Sequence, residues 1–139
     1  MVSSCFFLVP GSYAFYAALP FYGVVSFVTT IVSVNYWRHA VEGWRHSADL
    51  FVAKASFATY FISGCFFVRD LRVLAVGIPG CAMIVILYYL SNRYWDKDSW
   101  MWVYFHMGFH LFVALEQFLV LYGGVEVKEL VIGHDVSAR

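Results

Sequence analysis

The chain has 139 residues, 62% of them hydrophobic and 13% charged, with a formal net charge of zero. Its mean hydropathy is +0.71, whereas soluble domains carry about 45–50% apolar and about 25% charged residues, so a water-soluble domain is excluded and the bilayer is the expected solvent. Zero net charge without a basic tract argues against nucleic acid as a partner.

A membrane-spanning helix needs about 20 mostly apolar residues. By that rule the sequence predicts four spans and an all-α integral membrane bundle in one domain, residues 1–139. The first span covers Tyr13 to Tyr36, with Pro20 read as a kink inside it. No Lys or Arg precedes Arg38, so neither a secretory signal nor a transit peptide is expected and this segment reads as a retained anchor. The residues before Gly11 read as an interfacial lead-in.

The loop from Trp37 to Ser47 is polar and rich in Arg, His and Trp. Its Arg38 and Arg45 suit anchoring at headgroup level or contact with lipid phosphates. The second span covers Ala48 to Val68, and Arg69-Asp70 makes a tight turn. Lys54, within that span, is expected to snorkel to the interface, or to pair with Glu42 or Asp98. The third span covers Leu71 to Leu90, where Gly77, Pro79 and Gly80 suggest a kink. The fourth covers Ser99 to Tyr122. Gly123-Gly124 is expected to stop it, leaving a polar tail at 125–139.

Short connections imply antiparallel neighbours, hence an up-down bundle. The flanking cations divide evenly, Arg38, Arg45, Arg93 and Lys97 against Arg69, Arg72, Lys128 and Arg139, so the positive-inside rule leaves orientation open. The identity of the membrane is open too. Cys5, Cys65 and Cys81 lie in apolar runs without metal spacing and read as buried thiols.

At about 100° per residue, positions four and seven apart share a helix face. On the fourth span Ser99, His106, His110 and Gln117 form one polar stripe, with Glu116 at its flank. Asp49, Ser56, Tyr60 and Ser63 form another on the second span. Ser26, Thr29, Thr30 and Ser33 form a third on the first span, ending at Trp37. The third span has none, so three helices are expected to share a polar interior. Up-down connectivity places Ser33, Asp49, His106 and His110 at similar depth.

Two histidines one helical turn apart can offer imidazole nitrogens to one metal ion, zinc foremost. His106 and His110 are the candidate metal ligands. A zinc-bound water can act as a nucleophile near neutral pH. Asp49 is the candidate general base, and Ser33 the candidate hydrogen-bond partner of that water or of an oxyanion. Within a bilayer the substrate would be a lipid amide or ester. Glu116, near mid-membrane, suits either packing or a proton relay.

Ser33-Val-Asn-Tyr-Trp37, Asp49 and His106-Met-Gly-Phe-His110 together resemble the membrane hydrolase superfamily of alkaline ceramidases and progestin and adiponectin receptors. The matching stretches cover about a third of the chain. The resemblance implies a zinc site built from a Ser, an Asp and three His, serving amide hydrolysis. Two departures stand out: Trp37 occupies the position of the third histidine, with only His39 and His46 nearby, and four spans replace the family's seven.

The alternative reading is a non-catalytic structural or complex-assembly subunit whose polar interior specifies helix packing. A haem carrier is disfavoured, because His106 and His110 on one helix cannot clamp a haem from both faces. No ring of charges suggests a channel.

Overall fold

Long apolar runs satisfy their backbone groups most cheaply by closing hydrogen bonds within a helix. The computed structural model describes residues 3–39, 43–97 and 99–137, with side chains as far as Gly124. Among these residues there are only helices and the turns between them. A 3₁₀ turn, Ser3–Phe7, leads into α1 (Leu8–Tyr16). Then follow α2 (Pro20–Arg38), α3 (Trp44–Phe67), α4 (Leu71–Trp95) and α5 (Met101–Ser137). The molecule is an all-α bundle.

The single span expected over 13–36 divides in two. At the end of α1 the Leu19 N–H donates to the Ala14 carbonyl at 2.8 Å, and Ala18 adopts a left-handed conformation with φ 54°. That is a Schellman-type ending, filled here by alanine rather than glycine. Pro20 then occupies the first turn of α2, where its missing N–H is not needed. Pro20 therefore starts a helix instead of kinking one.

The N-terminal segment folds back along α2 as an antiparallel hairpin. Ser4 bonds Ser33 at 3.0 Å. A Cβ at Gly11 would stand 3.0 Å from Phe27 and 3.1 Å from Ser26, and one at Gly23 would meet the Phe15 ring at 2.6 Å. Glycine is what lets the two helices approach so closely.

Three helices are long and apolar enough to cross a membrane: Trp44–Phe67, Leu71–Trp95 and Met101–Gly124. The 19-residue α2, which carries the Ser/Thr stripe, is not among them. α4 runs unbroken through Pro79 and ends five residues beyond the expected Leu90. Nor does Gly123-Gly124 stop α5, which continues as helix to Ser137. Gly123 instead admits the end of α3: a Cβ there would lie 3.2 Å from the Val68 methyls. The side chains of the expected polar tail, Lys128 and Arg139 included, lie outside the described residues, as do Glu42 and Asp98.

α5 is the axis of the bundle. α4 packs antiparallel along it, α3 and α1 lie against other sides, and α2 closes the gap between α1 and α3. Only 17%, 11% and 22% of the three apolar spans is buried within the chain, so most of their apolar surface points outward. The interior is polar by comparison: Ser26, Thr29, Thr30, Ser33, Ser56, Ser63, His110 and Gln117 are all buried. The three expected stripes thus do face a common interior. The same inversion corrects the cysteines. All three are free thiols; Cys5 and Cys65 are exposed and Cys81 only partly covered, because apolar positions are the ones turned outward.

Candidate functional site

The i, i+4 spacing of His106 and His110 stacks their imidazoles on one face of α5, with ring centroids 4.4 Å apart and planes inclined at 57°. The upper ring, His106, lies under the C-terminal end of α2. Trp37 meets it edge-on at 4.9 Å and stacks over Trp102 at 5.8 Å. From α4, the Ser91 hydroxyl approaches His106 Nδ1 at 3.4 Å. The lower ring, His110, is buried and packs against Phe7 at 5.2 Å. Its Nδ1 bonds the Ser3 hydroxyl at 3.1 Å.

Ser3 and its neighbour Ser4 tie the histidines to α2. Ser4 donates to Ser33, and Ser33 in turn faces the Asp49 carboxyl near the start of α3, with His46 also near that carboxyl. A polar chain therefore runs from Asp49 through Ser33, Ser4 and Ser3 to His110 and His106. The four residues singled out in the sequence lie along it, but Ser33 and Asp49 do not touch the histidines. The 3₁₀ turn stands between them.

A second network lies one to two turns further along the axis. Gln117 donates to Ser56 at 3.3 Å, and its Oε1 lies 3.5 Å from the Ser26 hydroxyl. Ser26 shares a 2.8 Å bond with the Tyr60 hydroxyl, which also donates to the Tyr22 carbonyl at 3.1 Å. The Tyr22 and Ser63 hydroxyls close the network at 2.8 Å. Buried polar groups need such partners. Two buried atoms have none among the described residues, His106 Nε2 and Trp37 Nε1.

A catalytic zinc takes three protein ligands and leaves one position open. Among the described residues no three His, Cys, Asp or Glu side chains gather to hold a metal. Around the histidine pair the donors are serine hydroxyls, and indole N–H groups cannot ligate. His46, a candidate replacement, packs instead against Tyr36 at 5.2 Å, and His39 is exposed. Among the described residues, the histidine pair has no third ligand gathered beside it. Lys54 is exposed.

Sequence reasoning missed Ser3, Ser4 and Ser91. An adjacent pair of serines inside an otherwise apolar N-terminal run was the available signal for the first two. Comparison of the chain with models of protein families, with curated proteins and with solved structures finds no match.

Proposed function

We propose that the chain is a multi-pass integral membrane protein with a structural role, a non-catalytic subunit or assembly element whose polar interior fixes one arrangement of its helices. Three helices of spanning length and an outward-facing apolar surface support the membrane assignment. The observation that carries the non-catalytic reading is the Ser3-Ser4 pair. Its hydroxyls engage Ser33 and His110, so the candidate site groups are tied into interhelical packing. Interhelical hydrogen bonds of this kind are worth about 0.6 kcal/mol on average in a membrane protein, enough in number to select a register without driving chemistry.

A zinc-dependent hydrolase of a lipid amide or ester is the second reading. One observation favours it: His106 Nε2 is buried and unpartnered, as a vacant ligand atom would be. Elemental analysis of the purified chain separates the two. The structural reading expects no stoichiometric zinc, and His106→Ala or His110→Ala proteins that remain folded and monodisperse. One zinc per chain, lost in either variant, would overturn it.

A further inference from the structure

On the face of α5 turned toward α4, Glu116 opens onto a second feature. Although α3 and α4 are consecutive, no Cα of one lies within 8 Å of the other beyond the turn that joins them. Between them lies a groove of about 390 Å³ floored by α5. Phe57, Phe61 and Cys65 form one wall, Ile78 and Cys81 the other, and Glu116 reaches in from the floor.

The Glu116 carboxyl is seated in a notch in α4. A Cβ at Gly77 would stand 3.2 Å from one of its oxygens, and one at Gly80 would collide with the other. The glycines of Gly77-Ile-Pro-Gly80 make room for this carboxyl. No hydrogen bond or ion pair among the described residues reaches it. Gln117 and Tyr60 also border the groove, but their polar atoms are engaged in the interior network. An ionisable group inside an apolar span is costly unless something answers it.

Size decides what can. Small-molecule sites begin near 300 Å³ and pair apolar walls with a few placed polar groups, which is the composition found here.

We propose that this groove binds a single-chain amphiphile, its hydrocarbon lying between α3 and α4 and its hydrogen-bond-donating head, a hydroxyl or an amine, held by the Glu116 carboxyl. The site uses neither the histidine pair nor a metal, so it goes beyond the structural role proposed above and does not depend on it. A head lacking a donor leaves the carboxyl unanswered and should bind more weakly by about tenfold, the factor expected for one hydrogen bond to a charged or strongly polar group.

The full chain in lipid nanodiscs is photolabelled with a long-chain alcohol bearing a diazirine, and the modified peptides are mapped by mass spectrometry. Label is expected to concentrate on the stretches of α3 and α4 that wall the groove. Oleyl alcohol or oleylamine should displace it about tenfold better than methyl oleate, and the better of the two identifies the head as hydroxyl or amine. Glu116→Leu should abolish that preference, and Cys81→Trp, which fills the groove from its α4 wall, should remove the label while circular dichroism confirms the fold. Displacement by methyl oleate as effective as by the alcohol, in the unmodified chain, would overturn the proposal. So would label spread evenly over all the apolar helices.

Discussion

Trp37 sets what the histidine pair can do. Its indole fills the space above His106 at 4.9 Å, and an indole nitrogen donates but has no lone pair for a metal. An imidazole on the same backbone position is smaller and carries a ligating nitrogen on the side of α2 that faces His106. Trp37→His is therefore expected to create the third ligand that the pair lacks. Cobalt(II) is the natural probe: the variant should show the visible absorption of a tetrahedral site, and the unmodified chain should not. If both proteins stay colourless, α2 does not hold residue 37 where a ligand is needed. If both colour equally, a third ligand is already present and the structural reading of the site is wrong.

At the scale of elements, the break between α1 and α2 shapes the interior, since the hairpin it creates carries Ser3 and Ser4 to the histidines. The break rests on Ala18 at φ 54°. A left-handed conformation costs a residue with a Cβ about 1–2 kcal/mol, and glycine nothing comparable. Glycine also loses more entropy on folding, by about 0.4–1 kcal/mol, so the first effect wins by a modest margin. Ala18→Gly should stabilise the fold by up to about 1 kcal/mol, read as a rise of a few degrees in the melting temperature in detergent. Ala18→Val should lower it. Absence of any difference between the two would mean that the turn does not hold this conformation.

The same turn marks the limit of what was legible beforehand. The stripes on α2, α3 and α5 followed from a 3.6-residue period and did come to face one interior. Ala17-Ala18-Leu19 carries no glycine to announce a helix end, so Pro20, a helix-starting residue, was open to being read as a kink. Ser3 and Ser4 join the polar chain only because the hairpin folds back, a tertiary event that periodicity does not encode. Gly77 and Gly80 were visible as an interruption, but their role, making room for Glu116, depends on α4 and α5 lying antiparallel in one register.

Taken whole, the bundle inverts the pattern of a water-soluble protein: hydroxyls, His110 and Gln117 inside, phenylalanine and aliphatic side chains outside. Phe51, Phe66, Ile78 and Val85 are each more than 60% exposed. Exposed large apolar side chains are spread over three helices of spanning length, whereas soluble monomers rarely expose large contiguous apolar patches. That pattern is consistent with hydrocarbon as its medium, and the thiols offer a test. Cys5 is exposed at the level of the histidines, since Ser3 and Phe7 on either side of it both touch His110. Cys81 lies ten residues into α4, about 15 Å along its axis. In intact vesicles both should resist a charged, membrane-impermeant maleimide yet react with an apolar one that partitions into lipid. Denaturing detergent should expose all three cysteines to either reagent. Exposure alone would make Cys5 reactive to both reagents in a water-surrounded protein, so rapid modification by the charged maleimide in sealed vesicles would refute the membrane assignment whatever the helices' length and composition.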